Sequence, residues 1–202
     1  GNLELRGDIG SNQYRHGRAT FDFDITDSDG WYWEVVDTVA GSLLAGITDQ
    51  LSVLSGSTVG FTGMKGVNAV SSSYSPNGLL KTTDTTYAGT TLESTAAVAG
   101  DIVQFCAKNG KLFVGNNGTY VQSGNPATEA NPQYSSLTGR WAPYAGIYDS
   151  TATGYHTILN FGQDGTFAGN KTAQGNTDAS GFGNFFYSPP AGAKALCSRN
   201  NP

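Results

Sequence analysis

At 202 residues the chain can bury a substantial core, and 38% hydrophobic against 13% charged residues, with 28 glycines, suits short strands joined by many turns rather than long helices. A net charge of −5, with only 11 Lys and Arg scattered singly, gives no electrostatic footprint for a phosphate backbone, so nucleic acid is excluded as an expected partner. No apolar run reaches bilayer length, which excludes membrane insertion by a helix, and the opening GNLELRGD carries no signal-peptide pattern.

Residues 19–26, ATFDFDIT, alternate: Ala19, Phe21, Phe23 and Ile25 point one way, and Thr20, Asp22, Asp24 and Thr26 the other. This predicts a half-buried antiparallel strand. Asp27-Ser28-Asp29-Gly30 supplies turn chemistry, and WYWEVVDT (31–38) resumes with aromatic and β-branched residues, predicting a second strand in a hairpin with the first. LLAGITD (43–49) reads as the next strand, and SSSYSPNGLLKT (71–82) as a strand edge with a Pro-Asn-Gly turn.

GDIVQFCAKNGKLFVGNNGTYV (100–121) reads as two or three strands, with Asn109-Gly110 and Asn117-Gly118 at turns that need positive φ. Residues 122–140 are polar and proline-broken, hence a surface loop. WAPYAGIYDS (141–150) returns to strand character, and HTILNFGQ (156–163) closes that hairpin or a sheet edge. The glycine-rich run 164–184 is a second long loop, of a length that is usually functional or mobile. Pro189-Pro190 bars central strand pairing at that point. The expected fold is all-β, a single domain over 1–202 built as an antiparallel two-sheet β-sandwich.

Gly110-Lys111 lacks the helix that a phosphate-binding glycine loop requires, since Leu112 and Phe113 continue as strand. Asn117-Gly118-Thr119 and Asn170-Lys171-Thr172 fit a glycosylation sequon, but the turn reading is the stronger. Asp22, Asp24, Asp27 and Asp29 do not follow the spacing of a calcium loop, and read as a solvated strand face and an aspartate-rich turn; only Asp27 and Asp29 remain as weak metal candidates. No cofactor is implied.

Only four glutamates exist, and Glu34 and Asp37 fall on opposite strand faces, so they do not converge as a glycosidase pair would. His16 and His156 are the only histidines, and neither cysteine has a histidine near it in sequence. The chain is therefore expected not to be an enzyme. Cys106 and Cys197 fit either one disulfide or two separate thiols, and the latter is the commoner outcome for so few cysteines. Of the aromatics, Trp31, Trp33, Phe21, Phe23, Phe105 and Phe113 are core candidates. Tyr74, Asn77, Tyr134, Trp141, Tyr144, Tyr148 and Tyr155 sit in polar, glycine-rich surroundings and are the candidate ligand-binding residues, because exposed rings beside amides suit sugar or peptide recognition.

Several motifs, in order, resemble the SPRY domain, a sandwich of the concanavalin A-like kind. They are Trp31-Tyr32-Trp33-Glu34-Val35, Ala45-Gly46-Ile47, the Tyr74 to Leu80 stretch, Gly100-Asp101 through Lys111-Leu112-Phe113 to Asn117-Gly118-Thr119, and Asn160-Phe161-Gly162-Gln163. Gly1 to Leu5 and the tail FFYSPPAGAKAL resemble the flanks of SPRY-like modules in bacteriophage and marine microbial proteins, with Ala193 where an aromatic is usual and Asn201 where a leucine is usual. The resemblance implies a recognition or attachment module of a viral structural protein, located in a virion or outside the cell. Its implied partners are a host-surface glycan, a protein surface, neighbouring virion subunits or copies of itself. Two alternatives stand beside this: a capsid or tail decoration protein that only packs against its neighbours, and a carbohydrate-active hydrolase. A start at Gly1 fits an excised part of a longer chain.

Overall fold

The computed structural model describes residues 3–7, 13–38, 43–49, 64–68, 79–83, 91–96, 98–149 and 155–200. In chain order the strands are β1 (Leu3–Gly7), β2 (Gln13–Arg18), β3 (Phe23–Asp24), β4 (Trp31–Asp37), β5 (Leu43–Asp49), β6 (Met64–Asn68), β7 (Leu79–Thr83), β8 (Thr91–Ala96), β9 (Ile102–Lys108), β10 (Lys111–Asn116), β11 (Thr119–Tyr120), β12 (Arg140–Asp149), β13 (Tyr155–Asn160) and β14 (Lys194–Ala195). One sheet runs β1-β13-β4-β9-β10-β11, and the other β2-β12-β5-β6-β7-β8. All their pairings are antiparallel except that β14 lies parallel to β4, opposite Trp31 and Tyr32. The expected all-β, two-sheet sandwich is what forms.

The two Asn-Gly pairs close the β9-β10-β11 meander. Asn109 (φ 49°) and Gly110 (φ 71°) form the first turn, and Asn117 (φ 48°) and Gly118 (φ 86°) the second. Left-handed backbone at both central residues matches the twist of the flanking strands. Asn117 also receives the Ile102 N–H on Oδ1 at 3.0 Å and donates from Nδ2 to Asp101 at 2.7 Å.

Two expected hairpins are not hairpins. β3 pairs with β12 in the second sheet while β4 lies in the first, so the Asp27–Gly30 turn carries the chain from one sheet to the other. Asp24 Oδ1 accepts from the Thr26 amide at 2.9 Å, and Asp27 Oδ1 from the Asp29 amide at 2.9 Å, which bends the chain across that gap. The expected strand over 19–26 shrinks to Phe23–Asp24, although its alternation holds: Phe23 and Ile25 are fully buried and Asp24 is exposed. Likewise β12 and β13 belong to different sheets. Residues 71–78 of the expected edge strand lie outside the described residues.

Between the sheets, Trp33 stacks on Phe105 with ring centres 5.2 Å apart, and Phe23 tilts against both Trp31 and Trp33. Phe21 packs on the margin, edge-on to Phe161. Phe113 is buried as expected, but on the opposite face of its sheet. That outer face is covered by a third layer, the segment after β13. Phe185, Ala193 and Ala195 pack on Tyr32, Cys106 and Phe113, while Phe167 packs on Val36, Ile102 and Ile158. Hence all seven residues of β4 are buried. The run 164–184 contributes Phe167 and Asp178 to that cover, while 168–170 and 172–175 stay exposed on the surface.

Phe185 is fully buried with its ring edge-on to Tyr32 at 4.9 Å. Phe185→Ala is expected to cost about 3–5 kcal/mol, read as a lower urea midpoint. A loss no larger than that of an exposed-residue substitution would mean that the cover adds no stability.

Candidate functional site

Of the aromatic residues expected to bind ligand, two are buried in the scaffold and one is half-buried with its hydroxyl engaged. Trp141 is 9% exposed and Tyr144 only 1%. Trp141 donates Nε1–H to the Thr138 carbonyl at 2.9 Å, and the Tyr144 hydroxyl lies 3.2 Å from His16 Nδ1. Burial holds the His16 imidazole below its ordinary value. Tyr134 lies against the core and donates its hydroxyl to the Gly66 carbonyl at 2.8 Å, tying the 122–140 loop to the second sheet. Trp141 and Tyr144 are corrections with one cause: a large ring near a strand gains more from burial than from display when a carbonyl or imidazole can satisfy its polar tip, while Tyr134 stays half-buried. Tyr148 stays half-buried, opposite Tyr14 in the β2-β12 register. Tyr155 stands opposite Gly7 in β13, but its side chain, like Tyr74 and Asn77, lies outside the described residues.

Asp27 and Asp29 face a cation from within the chain. Lys194 Nζ stands 2.7 Å from Asp29 and 3.9 Å from Asp27, and over the Trp31 ring at 5.6 Å. Among the described residues, no group of three or more His, Cys, Asp or Glu gathers as a metal site. Asp22 pairs with Arg140, whose Nε–H donates to it at 2.6 Å.

Three carboxylates are buried among the described residues, Glu34, Asp37 and Asp178, and two of them, Glu34 and Asp178, hold the third layer in place. Glu34, fully buried on the outer face of β4, accepts from Tyr32 OH (2.9 Å), the Asn160 amide (3.1 Å), and the backbone N–H of Phe186 (3.0 Å) and Tyr187 (2.7 Å). Burial pushes its carboxyl above the ordinary glutamate value, against the pull of these donors. Asp178, 5% exposed, accepts from the N–H of Ser180 and Phe182 on Oδ1, and from Ala195 N–H and the Asn200 amide on Oδ2, all at 2.8–2.9 Å. Burial raises its carboxyl, but the donors from Ala195, Phe182, Asn200 and Ser180 win and leave it below the ordinary aspartate value. Both Glu34 oxygens are engaged by its four scaffold donors. Cys106 and Cys197 are free thiols, and burial pushes the Cys106 thiol up to about 12, which leaves it inert.

Among the described residues, an open groove of about 530 Å³ lies between the segment Gly118–Ala127 and the tail residues Ser188 and Pro190. Among the described residues, none of those lining it is charged. Its loop wall is held rigid. Gln133 Oε1 accepts the Val114 N–H at 2.6 Å, Gln133 Nε2 donates to the Val121 carbonyl at 3.2 Å, and Asn131 Nδ2 donates to the Ser123 carbonyl at 3.1 Å. Asn125 Oδ1 caps the Ala127 and Thr128 amides at 3.0 and 3.2 Å, and Lys111 pairs with Glu129 at 2.7 Å. Gln122 and Ser123 are both left-handed, at φ 52° and 58°. Such backbone costs of order 1–3 kcal/mol per residue and persists where the surroundings over-determine it. The groove residues Thr119, Ser123, Asn125 and Ser188 were not among the sequence candidates. The one sequence signal for them is that a polar, proline-broken loop follows a tight turn.

No family model matches the chain, and no curated protein matches it. Among solved structures, the SPRY domain of human HERC1 superposes with a TM-score of 0.50 and 13% identity, over 74% of this chain and 84% of that one. The fold is therefore SPRY-like, and at that identity the likeness shows the fold alone. Two polysaccharide-cleaving enzymes also match: AlgAT5, an alginate lyase of polysaccharide lyase family 7 (TM-score 0.45, 10% identity, 78% and 74% of the two chains), and an alginate lyase from Corynebacterium sp. (0.42, 12%, 69% and 59%).

Since the folded Asp178 carboxyl titrates below 3.8, its stabilisation is complete above that pH and is lost as pH falls through the folded value. Asp178→Asn turns an amide N–H pair toward two donors and is expected to cost about 2–4 kcal/mol near neutral pH. In urea unfolding, the gap between variant and wild type narrows as pH drops below 3.8. A gap that stays constant into strong acid would contradict this.

Proposed function

We propose that the chain is a non-catalytic recognition module that binds a glycan or a protein surface in the groove between Gly118–Ala127 and Ser188–Pro190. The observation that carries this reading is an open groove with no charged lining residue among those described and with walls held by hydrogen bonds, in a molecule where two of the buried carboxylates, Glu34 and Asp178, are occupied by scaffold donors. A preorganised wall lowers the ordering cost of binding. The setting we propose is a viral, phage-type structural protein exposed on a virion or outside the cell, supported by the tail Phe185–Leu196 and its resemblance to modules of that kind. Neighbouring virion subunits or a second copy of the chain are the protein partners such a setting offers.

Glycan-array and cell-surface binding of the isolated domain test the reading. Binding that is lost on substitution in the groove supports it. Binding to neither surface, with the protein found repeated on a symmetric particle, would replace it with a purely architectural role, and release of new sugar ends from a polysaccharide would replace it with catalysis.

A further inference from the structure

We infer that the groove takes a short, neutral saccharide; this rests on the recognition reading above and assigns its ligand class. The polar groups on the walls are the side chains of Thr119, Ser123, Asn125 and Ser188. Hydroxyls and a carboxamide donate and accept equally well, which is what a sugar hydroxyl, itself both donor and acceptor, requires. Asn125 uses its Oδ1 to cap Ala127 and Thr128, which leaves its amide N–H pair for the groove. Ser188 donates its hydroxyl to Asn176 Oδ1 at 2.9 Å, so its oxygen remains an acceptor.

Between these groups lie Pro190 and the Tyr120 ring, half-buried apolar surfaces on which the C–H face of a pyranose rests. Tyr120 is itself fixed from beneath, packed on the Tyr32, Cys106 and Phe113 cluster. Its strand position opposite Gly115 places it at the end of a row that runs Asn160, Glu34, Gln104, Gly115, Tyr120 across five strands. The Tyr120 ring is thus anchored to the sheet.

Charge selects within the class. A sialic acid or uronate carboxylate entering the groove would give up water without meeting a cation, which is unfavourable. A peptide would leave the alternating hydroxyl and amide groups serving a backbone with one donor and one acceptor per residue, and the open shape offers no enclosed apolar pocket for an anchoring side chain. The volume of about 530 Å³ lies in the range of small-ligand sites and accommodates a short oligosaccharide.

The test is amide-resolved NMR titration of the whole chain with lactose, maltose, cellobiose and chitobiose, with sialyllactose as the acidic probe and a neutral proline-rich peptide as the alternative ligand. The expected result is saturable shifts from at least one neutral sugar, confined to Thr119–Ala127 and Tyr187–Ser188, and roughly tenfold weaker binding in Asn125→Ala and in Thr119→Val. Thr119 is exposed, so its variant keeps the test valid if Asn125→Ala disturbs the loop. Tighter binding of sialyllactose overturns the neutral class. Shifts from the peptide alone at these amides overturn the saccharide and leave the recognition reading intact. Sugar shifts confined to other residues overturn the groove, and silence from every probe overturns both readings.

Discussion

A single buried carboxylate, that of Glu34, is the constraint around which this sandwich is arranged. A charge removed from water is tolerated only when hydrogen bonds replace its hydration. The replacements come from three parts of the chain: Tyr32 on the same strand, Asn160 on the next, and the backbone of Phe186 and Tyr187. Two of its four donors exist only if the tail lies across the sheet. The outer face of β4 and β9 is apolar enough to need a cover, but apolar contact alone does not set the register of an irregular segment. Glu34 sets it at two consecutive amides, and Asp178 sets it again at Ala195.

Binding geometry follows from that register. Ser188 comes directly after Tyr187, so the tail wall of the groove begins one residue beyond the amide that Glu34 holds. The opposite wall depends on local chemistry instead: the Asn117-Gly118 turn delivers β11, and Gln133, Asn131 and Asn125 fix the loop that follows. A long-range constraint and a local one meet at one opening. Both oxygens of the Glu34 carboxylate are committed to holding the tail.

Local features of the fold were readable from the residues. Asn-Gly pairs flanked by alternating apolar residues specify a tight meander, and β4, β5, β9, β10, β12 and β13 fall in runs that favour a pleated surface. Partnership was not readable, because a period of two tells which face a residue takes and nothing about which strand lies beside it; hence β3 and β4, and β12 and β13, divide between sheets. β2 escaped notice because QYRHGR has no apolar alternation. The third layer had a signal that was present but indirect. WYWEVVD and IVQFCAK are apolar on both faces, which belongs to strands covered on both sides, and Phe182, Phe185, Phe186 and Tyr187 crowd a tail otherwise rich in glycine. Trp141 and Tyr144 misled because polar neighbours in sequence say little about burial when strands bring distant residues over a ring.

Amide hydrogen exchange at Phe186 and Tyr187 tests most directly whether Glu34 holds the cover. If it does, these two amides, although outside any strand, exchange as slowly as those of Val103 and Phe105 in β9, and Glu34→Gln accelerates them far more than it accelerates β9. Exchange of Phe186 and Tyr187 at the rate of exposed loop amides in the wild type, unchanged by the substitution, would contradict it.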